Sequence, residues 1–341
     1  MKLQLSELRV RTAKAARTTL ALFVIAALLL TGCGKESDAP VPGKVNVVTT
    51  FYPLYFLAEQ IGGEDAHVVN LVPVGVEPHD WTPKSRDLRI ASEAQLFIYN
   101  GAGLEGWTES FLKGIASDSQ LMKVEASRGI ALIEGNGTED DHDHGGAGED
   151  EHDHDGSAKE EGHDHAGTDP HTWVSPVSVL TMAGNIRDAF AAVDPSHQAA
   201  YESRYKALAD RLTALDKEYK TALAPHAGKD IVVSHQAFAY LCRDYGLHQT
   251  AIMGLSPEAE PRSQDILRII KFIKEHQIKY IFFEQLSSGS LAETIARDTG
   301  AKTLVLNPIE GLTQEQERAG EDLISLMNVN LQNLLIALET H

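Results

Sequence analysis

The chain has 341 residues, of which 43% are hydrophobic and 23% are charged, with only two cysteines. This composition excludes a chain that is disordered throughout and a disulfide-stapled scaffold, and the length suffices for about two globular domains. The formal net charge of −19 would repel a phosphate backbone, so we expect no nucleic-acid partner.

The N-terminus has the pattern of a secretory signal. Five basic residues lie within the first 19 positions, and the run 20–30 is wholly apolar. That run of 11 residues is too short to span a bilayer, which needs about 20. A basic start, a short apolar run and a small-residue junction therefore predict a signal peptide over residues 1–32 that is absent from the mature protein.

The junction LTGC at positions 30–33 resembles the bacterial lipobox, in which the cysteine is acylated and becomes the first residue after cleavage. The alternative is a cysteine that happens to follow an ordinary signal peptide. We favour lipidation of Cys33, which predicts a membrane anchor followed by a polar tether over residues 33–43. Loss of the signal, which holds five basic residues and one acidic residue, changes the formal charge from −19 to −23.

From residue 44 onward, short β-branched runs alternate with segments of helical spacing, a pattern typical of parallel sheets built from βα units. The predicted strands are 45–51, 67–72 and 96–100 in a first set, and 230–234, 279–284 and 303–307 in a second set. Because the pattern occurs twice, we expect an α/β protein with an N-terminal lobe over residues 44–193 and a C-terminal lobe over residues 225–341.

A long helix is predicted between the lobes, over residues 194–224. Asp194 and Pro195 form a typical helix start, with an N-cap residue followed by proline at the first helical position. Apolar residues then recur at spacings of three and four: Tyr201, Tyr205, Leu208, Leu212, Leu215, Tyr219 and Leu223. These spacings predict a rod of about 40 Å that ends near Pro225. We therefore expect the lobes to move little relative to each other.

Two features of the second lobe are assigned to its core. The last segment, 322–338, has the apolar spacing of an amphipathic helix, and we expect it to pack inside a monomer rather than form a dimer surface. Cys242 would be the only thiol left after lipidation, and it lies in the apolar string 237–242. A buried structural cysteine is therefore expected rather than a metal ligand.

Residues 138–168 form a histidine-acid insert in which His-Asp-His occurs three times. Its imidazoles are His142, His144, His152, His154, His163 and His165. The insert also holds twelve acidic residues and one lysine and lacks apolar periodicity, so we expect a disordered loop. Imidazoles bind zinc, copper and nickel, and carboxylates raise the local cation concentration. Weak, exchangeable metal capture is predicted, in preference to a solubilising loop in which histidine is incidental.

Three histidines outside the insert lie in loops or at strand ends. His79 follows the second predicted strand, His171 follows the insert, and His235 directly follows the strand 230–234. Ligands of open parallel sheets bind beyond the carboxyl ends of the strands. Since two of these histidines belong to the first lobe and one to the second, they predict a metal site in the cleft between the lobes.

Zinc prefers four ligands, so a carboxylate or water is expected to complete this shell. Glu310, Glu284 and Glu77 are the candidate carboxylates, and spacing alone does not choose among them. Carboxylates or carbonyls are also expected to receive the second ring N–H of each histidine. Asp80 and Asp169 lie near enough in sequence to do so.

Several motifs of the chain form a recognisable set: EPHDWTP, NGAGLEGW, DPHTWVSP, SHQAFAYLCRDYGL, GLSPEAEP, FFEQLSSGSLAETIARDTG and LNPIEGL. Together with the lipobox and the insert, they resemble the zinc-binding lipoproteins of bacterial metal ABC importers, the cluster A-I zinc/manganese solute-binding family. The resemblance covers the whole mature chain. It implies two pseudo-symmetric (β/α)4 lobes with parallel sheets, joined by one long rigid helix.

The same resemblance implies that His79, His171 and His235 bind the metal, with Glu310 as the acidic fourth ligand. Some zinc-binding members leave that fourth place to water. Members selective for manganese typically carry a glutamate where this chain has His235, so Zn2+ is the expected ion and manganese the alternative. The implied partners are an ABC permease and its ATPase, at the extracytoplasmic face of the cell membrane.

Two other classes of function compete with transport. A catalytic zinc would also use histidines and a glutamate, but the chain has no HExxH, GxSxG or glycine-rich phosphate motif. We therefore expect no enzyme. A surface adhesin is compatible with the family resemblance, but a metal-gathering insert would serve no purpose in a pure adhesin.

Overall fold

The computed structural model describes residues 38–116, 119–135, 167–258 and 261–339. The chain divides into a short unit, Met1–Ala39, and a large unit, Pro40–His341, which holds every element described below. The predicted signal peptide, the lipid site at Cys33 and the insert up to residue 166 lie outside the described residues. In the part of the chain that is described, no helix is long and apolar enough to cross a membrane.

The N-terminal lobe contains a parallel four-stranded sheet. Its strands are β1 (Val45–Thr49), β2 (Ala66–Asn70), β3 (Leu96–Tyr99) and β4 (Met122–Glu125). Helices α1 (Tyr52–Gly62), α2 (Ser85–Ser92) and α3 (Thr108–Lys113) each lie between two successive strands. The strands are ordered β2-β1-β3-β4. Every residue of β1 is buried, as expected for a central strand of a parallel sheet with helices on both faces.

Two long helices follow the first sheet. Helix α4 (Pro176–Val193) was not predicted from the sequence, although its buried residues Val179, Met182, Ile186 and Phe190 recur at helical spacings of three and four. Helix α5 (Gln198–Leu223) is the predicted connector, and short 3-10 turns at Pro195–His197 and Ala224–His226 extend it. All its predicted apolar positions are buried except Tyr205, which is half-buried.

The C-terminal lobe repeats the arrangement of the first sheet. Its strands are β5 (Asp230–Val233), β6 (His248–Ala251), β7 (Tyr280–Phe283) and β8 (Lys302–Val305). Its helices are α6 (Ala239–Tyr245), α7 (Ser263–Glu275), α8 (Ser290–Thr299), α9 (Gln314–Ala319) and α10 (Leu323–Glu339). The order β6-β5-β7-β8 is the same as in the first sheet. The predicted α/β fold of two pseudo-symmetric lobes is confirmed.

The sequence predicted three strands in each lobe and missed the fourth, because β4 (MKVE) and β6 (HQTA) carry polar residues and are only partly buried. Both are edge strands with a neighbour on one side only. Such strands have less apolar surface to bury, so the hydrophobic signal that marks a central strand is absent.

One hydrophobic core runs through both lobes. It contains Val47 of β1, Leu212 of α5, Val233 of β5 and Leu331 of α10, among many others. The hydroxyl of Tyr219 on α5 donates a hydrogen bond to the carbonyl of Met327 on α10, at 2.5 Å. The predicted core packing of the last helix is confirmed. Because α5 and α10 share this core, the connector is packed along its length and does not act as a free hinge.

Replacement of Leu212 by alanine tests whether this shared core stabilises the whole unit. Leu212 is fully buried, and such truncations destabilise proteins by about 2–5 kcal/mol. We expect a loss in that range, measured as the free energy of unfolding in urea. Leu267→Ala is the matched control. Leu267 is 66% exposed, so this variant should lose little free energy of unfolding. Equal losses in the two variants would contradict the shared core.

Candidate metal centre

Four side chains that the sequence singled out come together in the structure: His79, His171, His235 and Glu310. Each offers one ligand atom, and these atoms all lie within 4.8 Å of one another. The Nε2 atom of His171 lies 3.1 Å from that of His79 and 3.2 Å from that of His235. Oε1 of Glu310 lies 3.3, 3.5 and 3.7 Å from the Nε2 atoms of His79, His171 and His235, respectively.

Each side chain reaches the cluster from a loop or strand end. His79 lies in the loop after β2, and His171 immediately precedes a 3-10 turn at Thr172–Val174. His235 lies two residues beyond the end of β5, and Glu310 lies in the loop after β8. The cluster is therefore at the carboxyl ends of parallel strands, where open α/β sheets bind their ligands. Each lobe contributes two of the four side chains.

The spacing of the ligand atoms matches a tetrahedral metal site. Four atoms held about 2.0–2.1 Å from a zinc ion at tetrahedral angles lie about 3.3 Å apart, and five of the six distances here span 3.1–3.7 Å. Three of the side chains are at most 2% exposed, and His79, at 11%, is the most accessible. The four ligand atoms therefore form a buried cluster, and His79 is the side chain through which the cluster reaches solvent.

The other ring nitrogens of two histidines bind carboxylates. Nδ1 of His171 lies 2.8 Å from Oδ1 of Asp169, and Nδ1 of His235 lies 2.6 Å from Oε1 of Glu284. Such a contact places a ring proton on Nδ1 and directs Nε2 toward the centre, as in metal-binding histidines. Asp169 thus accepts the second ring N–H of a histidine, as expected from the sequence. The exposed Asp80 instead uses its backbone N–H, which donates to Glu77 at 3.4 Å.

The two alternative carboxylates orient ligands and do not join the cluster. Glu284 accepts hydrogen bonds from the Ser234 hydroxyl and the backbone N–H of His235. Glu77 accepts a hydrogen bond from the backbone N–H of His79 at 3.0 Å. Burial raises the pKa of Glu77, and the charge of Glu310 raises it further. Among the three candidates, only Glu310 places an oxygen among the imidazole nitrogens.

The backbone before Glu310 is constrained. Ile309 has φ of 59°, a conformation that is strained for a β-branched residue. Its N–H donates to Oδ1 of Asn307 at 2.7 Å, and Nε1 of Trp173 donates to the carbonyl of Pro308 at 2.7 Å. Sequence reasoning missed Trp173, because nothing in the motif DPHTWVSP indicates an acceptor 135 residues away. The hydrogen bond from Trp173 to Pro308 joins the segment that carries His171 in one lobe to the segment that carries Glu310 in the other.

Protonation of the cluster is strongly perturbed. Burial alone would lower the pKa of His171, but hydrogen bonds to Asp169 and Glu310 outweigh it and raise that pKa to about 9. Burial would likewise raise the pKa of Glu310, yet hydrogen bonds from His171 and His79 and the nearby His235 hold it well below the usual carboxyl range. Since a metal ligand must be unprotonated, a metal entering the site displaces protons.

This donor set suits a borderline divalent cation. Three imidazoles and one carboxylate favour ions such as zinc over magnesium or calcium, which prefer oxygen ligands alone. Four protein ligands leave no open coordination position, unlike a catalytic zinc site. Cys242 is not part of the cluster. It is buried and burial raises its pKa, as expected of a structural cysteine. The histidines of the insert and Cys33 lie outside the described residues.

The chain is similar to a known family and to characterised sequences. The family model described as "Zinc-uptake complex component A periplasmic" (ZnuA) matches residues 47–337. The chain is 37% identical over 319 residues to the zinc-binding lipoprotein AdcA of Streptococcus pneumoniae, covering 93% of this chain and 60% of that protein. It is 40% identical over 319 residues to the high-affinity zinc uptake system protein ZnuA of Bacillus subtilis, covering 92% and 95%. The chain thus spans about 60% of the length of the first curated relatives.

Solved structures share the fold. The Zn(II)-bound ZnuA-like domain of Streptococcus pneumoniae AdcA superposes with a TM-score of 0.71 at 33% identity, covering 87% of this chain and all of that domain. A laminin-binding protein of Streptococcus agalactiae, described as having adhesin and metal-transporting activity, gives a TM-score of 0.72 at 29% identity, covering 86% and 99%. The two-lobed architecture is therefore shared over nearly the whole described chain.

The raised pKa of His171 predicts how the metal-free protein responds to pH. Its folded value of about 9 exceeds the ordinary 6.5, so protonated His171 stabilises the fold below pH 6.5, and this contribution is lost as pH rises through about 9. We expect a titration midpoint near 9 by NMR. Asp169→Asn removes a carboxylate partner and should lower the midpoint toward the ordinary value.

The matched control for this titration is Asp80→Asn, which changes the exposed aspartate beside His79 and should leave the midpoint unchanged. Stability measured in urea should fall less steeply between pH 6.5 and 9 in Asp169→Asn than in the parent. An unchanged midpoint in Asp169→Asn would show that Asp169 does not control the protonation of His171.

Proposed function

The chain belongs to the ZnuA family of zinc-uptake components, and from this premise we propose that it is the extracytoplasmic zinc-binding component of an ABC importer. It captures Zn2+ between its lobes and delivers the ion to a membrane permease driven by its ATPase. One observation carries the proposal: three imidazoles and a carboxylate from both lobes converge with the spacing of a tetrahedral site. Families of this kind are binding components and not enzymes.

The proposed ligands are Nε2 of His79, His171 and His235 and Oε1 of Glu310. The short contacts of Glu310 with all three imidazoles support a protein carboxylate rather than water as the fourth ligand. Three nitrogen donors favour zinc over manganese, which prefers more oxygen ligands. The names of relatives support the same ion, since they are described as zinc-binding or zinc-uptake proteins.

The histidine-acid insert is proposed to gather metal ions weakly near the high-affinity site. Its six histidines and net charge of −11 support this role. The described residues at its base support it too, because Glu134, which precedes the insert, and Thr168, its last residue, form an antiparallel bridge. Thr168 of that bridge lies three residues before His171 in the sequence, so the insert joins the described chain close to a proposed ligand.

The proposed location is the extracytoplasmic face of the cell membrane, with acylated Cys33 as the anchor and residues 33–43 as the tether. The LTGC junction supports the anchor, and a relative with 37% identity is described as a lipoprotein. An adhesin role is described for a more distant relative, but the buried donor cluster is an observation that favours transport. Zinc delivery is therefore the single function proposed.

Zinc titration of the mature protein tests the assignment of ligands. We expect about one tightly bound zinc and several weak ones, measured by competition with a chelator. His171→Ala should weaken the tight site by more than about 100-fold, because a lost ligand matters more than the 10–100-fold typical of a lost ligand partner. Deletion of residues 138–166, which keeps the bridge at Thr168, should remove the weak sites alone. Parallel loss of both classes in either variant would refute the separate roles.

Cys33→Ala tests the anchor in cells. The variant should move from the membrane fraction to the soluble extracytoplasmic fraction, because the acylated thiol is missing. Cys242→Ala is the matched control, since Cys242 is buried in the folded lobe and its replacement should leave the protein on the membrane. Continued membrane fractionation of Cys33→Ala would discredit lipidation at this position.

A further inference from the structure

A tyrosine hydroxyl is inserted between two backbone segments next to the metal centre. Tyr240 donates a hydrogen bond to the carbonyl of Asp169 at 2.7 Å and accepts one from the N–H of Ile133 at 3.2 Å. The side chain is fully buried. Burial also raises the pKa of Tyr240 to about 12, so the hydroxyl keeps the proton that it donates.

The two segments are an incomplete antiparallel pair. The N–H of Asp169 donates directly to the carbonyl of Ile133 at 2.8 Å. In a regular pair of this kind, the two residues exchange both hydrogen bonds. Here the reciprocal bond, from Ile133 to Asp169, is replaced by the Tyr240 hydroxyl. The hydroxyl thus acts as a spacer that keeps the carbonyl of Asp169 away from the opposite strand.

The position of Asp169 determines the position of His171. Oδ1 of Asp169 accepts hydrogen bonds from both the backbone N–H of His171, at 2.9 Å, and its Nδ1, at 2.8 Å. Both residues are fully buried, and Oδ2 of Asp169 has no hydrogen-bond partner among the described residues. If Asp169 moved, the His171 imidazole would therefore move with it, because the Asp169 carboxylate has no other hydrogen bond within the described part of the chain that would hold it in place.

The spacer itself comes from the opposite lobe. Tyr240 lies on α6, five residues after His235. Its ring is held by Arg243, whose guanidinium carbon lies 5.0 Å from the ring centroid and whose Nη1 donates to the carbonyl of Ala131 at 2.7 Å. One hydroxyl therefore connects the segment that carries His235 with the segment that carries His171.

We propose that Tyr240 is a positioning residue for the metal centre: its hydroxyl sets the distance between Ile133 and Asp169 and thereby the placement of His171 relative to His235. This inference rests on the proposed zinc-binding function. Removing the hydroxyl lets Ile133 bond directly to Asp169, which draws Asp169 and the His171 ring away from the other ligands. The outcome is a weaker metal site in a protein that remains folded.

Tyr240→Phe tests the proposal, with Tyr245→Phe as its matched control. Tyr245 lies on the same helix, is also buried, and donates its hydroxyl hydrogen bond to Asp216 on the connector, at 3.1 Å. Both variants lose one buried hydroxyl, so both should lose similar stability in urea. We expect Tyr240→Phe to bind zinc about tenfold more weakly, as for a disturbed ligand partner, and Tyr245→Phe to bind zinc like the parent.

Two further measurements separate positioning from general destabilisation. A crystal structure of Tyr240→Phe should show a direct hydrogen bond from Ile133 to Asp169, and the absorption spectrum of the Co2+-loaded variant should differ from that of the parent. Equal zinc affinity in the two variants, or an unmoved Asp169, would overturn the proposal. Failure of the parent protein to bind zinc would instead refute the proposed function, so the two failures are distinguishable.

Discussion

The structure depends on holding four ligand atoms within one coordination sphere when they come from distant parts of the chain. His79 and Glu310 are 231 residues apart, yet their ligand atoms are 3.3 Å apart. Bringing imidazoles together in a buried site is unfavourable unless their protons and charges are compensated. Glu310 at the centre and Asp169 and Glu284 behind two of the rings provide that compensation. The carboxylates thus make the cluster of histidines compatible with a folded protein.

Convergence across two lobes also requires that the lobes keep their relative position. A shared core along α5 and α10 provides this, and two buried hydrogen bonds cross between the lobes at the site itself. Trp173 binds the carbonyl of Pro308, and Tyr240 binds that of Asp169. Each of these hydrogen bonds joins two segments that carry ligands, so the bonds fix the relative positions of the ligands themselves. Such an arrangement favours small local movements over the closing of a wide cleft.

The same preorganisation sets the competition between metal ions and protons. Hydrogen bonds to Asp169 and Glu310 raise the pKa of His171, so metal must displace a proton that the site itself holds firmly. The backbone is strained at Ile309, directly before Glu310. Such a conformation persists only because the surrounding contacts hold it, so these contacts also position the Glu310 carboxylate. Asp169 and Ile309, which are not proposed as ligands, therefore influence metal binding through the ligands that they position.

Local patterns in the sequence predict the chemistry of the site and most of the architecture. Histidines at the ends of apolar strands indicated a metal centre between lobes, and apolar spacing indicated the connector, because both signals are local. Spacing left the choice among Glu310, Glu284 and Glu77 open, and only the family resemblance implied Glu310. The tertiary structure places Glu310 in the cluster and Glu284 behind His235. It alone shows that Trp173 and Tyr240 bond across the lobes. It also revealed the edge strands β4 and β6. These features depend on contacts between residues far apart in the chain, which local periodicity does not encode.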